Sequence, residues 1–226
     1  MDCLRLARVR CLGNRNQRRD EVRDQARDNH PVGAFWSDYP GWAAMRITRP
    51  YRWATWGVLA GWYGGWSEPA SYDYGSDVYY EEDTVHAGDE TVPADEYAEQ
   101  AAQIAASAPE VAPDKAEWLP LGVFAVTQDG QATGPDPTLF LQLAVSKEGI
   151  ISGTFNNSAT NQTQAIEGMV DKESQRAAWT VAGKSRPIME TGIANLTTDT
   201  GPALVHFDDG STQQCLLVRL EEPESK

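Results

Sequence analysis

The chain is short of the residues that usually carry chemistry. It holds three histidines and three cysteines among 226 residues. His30, His86 and His206 lie in three separate regions, without the spacing of a metal site. Cys3, Cys11 and Cys215 include no CxxC pair, so neither a zinc knot nor a dithiol redox motif is encoded. A Cys3–Cys11 bridge requires an oxidising compartment; unpaired thiols are the other reading. GxSxG, HExxH, P-loop and GxGxxG motifs are all missing. The acidic stretch "YYEEDTVHAGDE" (79–90) lacks the alternating ligand grammar of a calcium loop and reads as a solvated turn. No catalytic residue, metal ligand or cofactor is therefore assigned: the expectation is a non-enzyme with no cofactor.

Long apolar runs are also missing. The best candidate, "WATWGVLAGWYGGW", offers 14 uncharged residues after Arg52, whereas a bilayer-spanning helix needs about 20. No transmembrane segment is expected. The N-terminus, "MDCLRLARVRCLGNRNQRR", carries arginines but no apolar h-region of about 7–15 residues. It reads as cytoplasmic, or as a start codon placed downstream of the true one.

Charge is present but segregated. Residues 1–66 hold 11 Arg, no Lys and 6 acids; residues 67–118 hold 1 Lys and 14 acids; residues 119–226 hold 7 basic and 13 acidic residues. The net charge of −14 argues against nonspecific nucleic-acid binding by the whole chain. The Arg/Trp-rich front could meet phosphates and bases. Its arginines already have aspartate neighbours, however, so no nucleic-acid partner is expected.

Residues 1–34 read as an Arg-rich, polar region, disordered or forming a marginal helix. Within it, "RDEVRDQARDNH" (19–30) repeats Arg-Asp every four residues. On a helix Asp20 would face Arg23 and Asp24 would face Arg27, each pair worth only ~0.2–0.5 kcal/mol. Val22 and Ala26 alone give that helix an apolar side. Residues 35–108 form a Trp-rich segment, short strands and a helix. Six of the eight tryptophans fall between 35 and 66. "GWAAMRIT" (41–48) suggests a short helix, and the stretch after Pro50 about three helical turns, weakened by its glycines. Trp53, Trp56, Trp62, Tyr63 and Trp66 are the candidate patch: a small core covered by the acidic hairpin and the following helix, an exposed interaction surface, or a contact with a membrane surface. "DVYY" and "DTVHA" read as a short β-hairpin. "ADEYAEQAAQIAAS" (94–107) is the clearest helix, with Pro93 at its start and acids in its first turn. Residues 109–117 read as a linker and 223–226 as a tail.

From residue 118 to 222 the pattern changes to period two. "LGVFAVTQ", "TLFLQLAVS", "IISGTFNN", "QAIEGMVD", "RAAWTVAG", "METGIANLT", "ALVHFDD" and "TQQCLLVRL" are eight strand candidates. Short turns such as "SKEG" and "DDGS" join them, so antiparallel pairing is nearly compulsory. A meander of this kind protects its edges best by closing. Gly153 and Gly168 fall among core-facing neighbours, as expected where strands bend sharply in a small barrel. The expected fold class is mainly β with α additions: a C-terminal antiparallel eight-stranded meander or barrel, with a β-sandwich as the alternative.

Several segments, taken in order, resemble a group of exported planctomycete proteins of unknown role, often labelled mu-protocadherin or cell-surface protein. They are "RPYRWATW" (49–56), "YGSDVYYEEDTVHAGDETV" (74–92), "DEYAEQAAQIA" (95–105), "EWLPLGVFAVTQDGQ" (117–131), "LFLQLAVSKEGIISGT" (139–154), "QRAAWTVAGK" (175–184) and "METGIANLT" (189–197). The resemblance covers roughly residues 40–222 and implies an exported, cell-envelope setting. Two features depart from it: the chain shows no signal peptide, and it has neither cadherin-type calcium motifs nor homologous repeats.

Three functional readings follow. The first is a non-enzymatic cell-envelope or cell-surface protein whose β domain is a structural or interaction module for an unknown protein or envelope component. The second is a barrel that binds a small apolar ligand inside. The third is an enzyme whose site is assembled from scattered residues.

Overall fold

The computed structural model describes residues 2–29, 52–109 and 116–222. The proposed helix at 41–48, Trp36 and Trp42, most of the 109–117 linker, the 223–226 tail and the side chains of Cys3 and Cys11 lie outside what is described. The elements in chain order are α1 (Asp2–Asn29), α2 (Trp56–Tyr63), β1 (Val78–Glu81), β2 (Thr84–Ala87), β3 (Glu90–Pro93), α3 (Ala94–Ala106) and eight further strands. Those are β4 (Trp118–Gln128), β5 (Leu139–Ser146), β6 (Ile150–Asn157), β7 (Gln162–Val170), β8 (Arg176–Val181), β9 (Ile188–Gly192), β10 (Thr200–His206) and β11 (Thr212–Arg219). A short 3-10 helix, Ile193–Thr197, separates β9 from β10.

Each of β4 to β11 pairs antiparallel with the next, and β11 returns to β4, so the eight strands close into an up-and-down barrel. The sandwich alternative is thereby excluded. Alternation decides what fills the barrel. Leu141, Leu143 and Val145 of β5, Ile151 of β6 and Ile166 and Val170 of β7 point inward into one buried cluster. Gly153 and Gly168 sit where the wall is tightest. A Cβ on Gly153 would come 1.7 Å from the Gln142 carbonyl oxygen, and one on Gly168 2.2 Å from that of Ala178. Only glycine permits so close a backbone approach.

The outer wall is covered as well. On β11, Leu216 and Val218 face outward, together with Val123, Ala125 and Phe140 of β4 and β5, and Val22 and Ala26 of α1 cover them. This explains why β11 is apolar on both faces. Ala101 and Ala105 of α3 pack on Ala178 and Ile188. The three-stranded sheet β1–β3 lies over Leu204 through Tyr74, Val78 and Val85, with Tyr97 of α3.

Four local expectations are corrected. The hairpin at 71–92 gains a third strand, β3. "METGIANLT" is a strand only to Gly192; Ile193 and Leu196 then turn into the barrel on the 3-10 helix. The helix after Pro50 is eight residues long, opened by Thr55 and closed by Gly64 in the left-handed region. Finally, α1 is one helix from Asp2 to Asn29, longer than the 19–30 repeat alone. Its arginines divide their ion pairs: Arg18, Arg19 and Arg27 meet acids of α1 itself, whereas Arg15 and Arg23 meet acids elsewhere in the chain.

Candidate functional site

The two ends of the barrel differ. One end is plugged by the aromatic stretch singled out in the sequence. Leu59 of α2 is fully buried in the inner cluster, with Trp56, Tyr63 and Trp66 packed against it. The Tyr63 hydroxyl donates to the Ser146 carbonyl (3.0 Å), and Trp66 Nε1 donates to the Lys172 carbonyl (3.0 Å). Both acceptors belong to turns at that end of the barrel. The Trp56 and Trp66 rings stack with centroids 5.9 Å apart, and Lys172 Nζ lies 5.0 Å from the Tyr63 ring centre. Trp53 is elsewhere. It is 8% exposed in the outer cluster with α1, and its Nε1 donates to the Leu220 carbonyl at 3.0 Å. Trp62 is half-buried near Lys147. The acidic hairpin and α3, expected to cover these aromatics, lie over a different face of the barrel: the aromatics seal an end of the barrel, not a separate core.

The other end is open. Here a cup of about 570 Å3 enters the barrel. Its wall takes one inward, incompletely buried side chain from each of β5 to β11 and two, Val126 and Gln128, from β4. Six are apolar: Val126, Leu139, Phe155, Val181, Met189 and Val205. The other three are amides: half-buried Gln164, exposed Gln213, and exposed Gln128, whose Oε1 accepts from Gln131 Nε2 at 3.0 Å. The floor is Leu141, Ile166, Trp179 and Cys215, all buried. Burial pushes the Cys215 thiol up to about 12, with a smaller contribution from the Asp129 charge, so it is a neutral thiol at ordinary pH and not a nucleophile.

The β4–β5 loop leans over this mouth, and α1 holds it there. Arg18 is 1% exposed. Its guanidinium donates from Nε and Nη2 to Thr127 Oγ1 (3.0 and 2.8 Å) and from Nη1 and Nη2 to the carbonyls of Gly134 and Pro135 (3.1 and 2.6 Å). Glu21 pairs with Arg18 and also accepts from the Gly134 N–H at 3.2 Å. One turn earlier Arg15 grips Asp129 through two nitrogens (2.9 and 2.6 Å) and reaches Asp73 at 2.7 Å. Burial opposes the Arg15 charge, but Asp129 and Asp73 more than compensate and raise its pKa above the ordinary guanidinium value. The repeat's own i,i+3 pairing survives only partly, as at Arg27 with Asp24 (3.0 Å). Arg23 instead reaches Asp199 at 3.0 Å.

A second polar cluster lies outside the barrel, beneath the three-stranded sheet. Arg176 Nε donates to Glu190 at 3.2 Å, and its Nη1 to Gln100 of α3 at 3.0 Å. The Arg176 guanidinium also stacks 4.0 Å from the Tyr97 ring centre. His206 Nδ1 meets Thr212 Oγ1 at 2.9 Å. His206 Nε2 lies 3.3 Å from Glu190 Oε1, yet neither atom has a properly aligned hydrogen bond. The Tyr74 and Tyr97 hydroxyls are buried there without a partner too. Burial first, and then the Glu190 charge, raises both phenol pKa values. Glu190 and His206 are both buried, and Arg176 ties α3 to β8 and β9.

Among the described residues, no helix is long and apolar enough to cross a membrane. No group of three or more His, Cys, Asp or Glu in that set could hold a metal ion. Comparison of the chain with protein families, curated proteins and solved structures finds no match.

The cup was only partly signalled in the sequence. The alternating strands announce an apolar interior, but nothing in the pattern says that one end of it is left unfilled. Gln164 and Gln213 are visible as polar residues at inward positions, and that irregularity was the available clue.

Proposed function

We propose that the barrel binds a small, largely apolar molecule in its open cup. The observation that carries this reading is the division of the interior. A solid floor and a plugged far end make the barrel rigid, while a ring of incompletely buried apolar side chains encloses about 570 Å3. Eight-stranded barrels either fill with side chains or hold one small ligand, and ligand sites are commonly apolar clefts of ~300–1,000 Å3. A protein selected only for stability has little reason to leave Val126, Phe155, Met189 and Val205 facing empty space, since unfilled apolar volume is destabilising.

The resemblance to exported planctomycete proteins would put such a binder at the cell envelope, a setting tested by fractionating cells that carry a tagged copy at the native locus. The cup itself is tested with N-phenyl-1-naphthylamine, a neutral probe that brightens in apolar surroundings. Saturable one-to-one binding is expected in the wild-type chain and loss of it in Val205→Phe and Val126→Phe, which fill the cup from opposite sides of β11. Unchanged probe binding in thermally stable filled variants would overturn the proposal.

A further inference from the structure

Resting on the cup as the binding site, we infer that its ligand is an uncharged amphiphile, an apolar body bearing a neutral hydrogen-bonding group such as an amide, hydroxyl or carbonyl, and that Gln164 and Gln213 select it. The inward wall is apolar except at these two positions and at Gln128 near the mouth, whose amide oxygen already accepts from Gln131 Nε2 at 3.0 Å. Gln164 lies inward on β7, paired with Phe155, and Gln213 lies inward on β11, paired with Val205. Strands β7 and β11 stand four places apart in a ring of eight, so the two amides face each other across the cup. Neither side-chain amide hydrogen-bonds to another described residue, in contrast to Gln214 next along the chain, whose amide donates to Tyr74 and Asp129. Each unengaged amide offers both donors and an acceptor.

Charge is excluded by the same lining. The charged residues at the cup are Arg18, Asp136 and Lys184, all at the mouth. Arg18 is saturated by Thr127, Glu21 and the loop carbonyls, and Asp136 and Lys184 have opposite signs. An ionised group drawn down among Leu139, Phe155 and Met189 would lose its hydration without gaining a counter-charge. A neutral group meets an amide there at little desolvation cost. Because the amides are on opposite walls, one small polar group engages one of them at a time.

The test uses the full chain loaded with N-phenyl-1-naphthylamine and displaced by three ligands of matched length: dodecanamide, dodecanoate and dodecane. Dodecanamide should displace the probe at about five- to tenfold lower concentration than dodecane, after correction for free solubility, as expected for one additional neutral hydrogen bond. Dodecanoate should be the weakest of the three. Gln164→Leu and Gln213→Leu, which keep approximate size, are tested singly and together. The double variant should erase the amide's advantage over dodecane while still binding the probe. Gln164→Met and Gln213→Met serve if the leucine variants fold poorly. Dodecanoate binding tightest would point to a head group held at the mouth by Lys184 and would overturn the inference. So would an amide advantage that survives in the double variant. Failure of the wild-type chain to bind the probe or any of the three ligands would instead overturn the cup itself.

Discussion

Arg18 is the side chain on which the arrangement of the cup's mouth most depends. Arg18→Met keeps the apolar stem and removes the guanidinium. Thr127 Oγ1, the Gly134 and Pro135 carbonyls and Glu21 then lose a charged donor together. Hydrogen bonds to a charged partner contribute about 1.5–3 kcal/mol each, but the losses are not additive. Glu21 is 28% exposed, and the loop carbonyls border the open mouth, so water recovers part of the loss. Breaking a buried charged pair costs about 3–5 kcal/mol; the lower end, about 3 kcal/mol, is the expectation here. For a chain of this size that lowers Tm by about 6–12 °C. Hydrogen–deuterium exchange should localise the change: amides of residues 129–138 lose about 100-fold in protection, since 1.4 kcal/mol corresponds to a factor of ten, while β6 and β7 change little. Arg18→Lys should recover only part of this, because an ammonium cannot present the guanidinium's planar fork. A Tm within 2 °C of wild type (less than about 1 kcal/mol), with unchanged exchange at 129–138, would refute the view that α1 latches the mouth.

Two other predictions concern the barrel wall and the seat of α1. Gly168→Ala and Gly153→Ala should each destabilise by about 3 kcal/mol or more, at the upper end for overpacking, because the new methyl would strike backbone carbonyls. Gly57→Ala on α2 meets nothing within 4 Å and should be neutral or stabilising by up to about 1 kcal/mol; similar chemical-denaturation midpoints for all three would contradict the barrel geometry. At Asp199, partial burial disfavours the charge, but the hydrogen bond and charge of Arg23, with Arg219 and Arg19 nearby, outweigh it and hold the carboxyl below its ordinary value of 3.8. A depressed folded-state pKa means that the stabilisation is complete above the unfolded value and is lost as pH falls through the folded one. Asp199→Asn should therefore flatten the fall in Tm below about pH 4. The carboxylate is 47% exposed, so the effect is small and is read as a difference in slope; parallel wild-type and variant curves would exclude it.

The barrel was legible because its strands declare themselves locally. Leu139, Leu141, Leu143 and Val145 alternate without interruption, and turns as short as "DDGS" leave antiparallel neighbours no other partner. The helix at α3 was equally plain, with its proline start and acidic first turn. The aromatic stretch was visible as a feature but not as a plug. Its covering partner proved to be the barrel end, and Leu59, the most buried residue of α2, is a non-aromatic anchor in a run that drew notice for its tryptophans.

The arginine repeat shows where local reasoning stops. From spacing alone the nearest acids to Arg15 and Arg23 lie on their own helix. In the folded chain Arg15 finds Asp73 and Asp129, and Arg23 finds Asp199. An i,i+3 pair on an exposed helix is screened by water and weak, whereas a carboxylate on the barrel meets the guanidinium in a partly buried seam where the attraction is stronger. That seam exists only once the barrel has closed. The cup has the same origin. Side-chain identity and alternation, which belong to the sequence, determined that the interior would be apolar, that eight strands would pair in order, and that glycine would occupy the tightest bends. Tertiary structure alone decided that α2 and the 3-10 helix fill one end while the other stays hollow, because an empty volume is set by the distance between walls and not by any one strand's pattern.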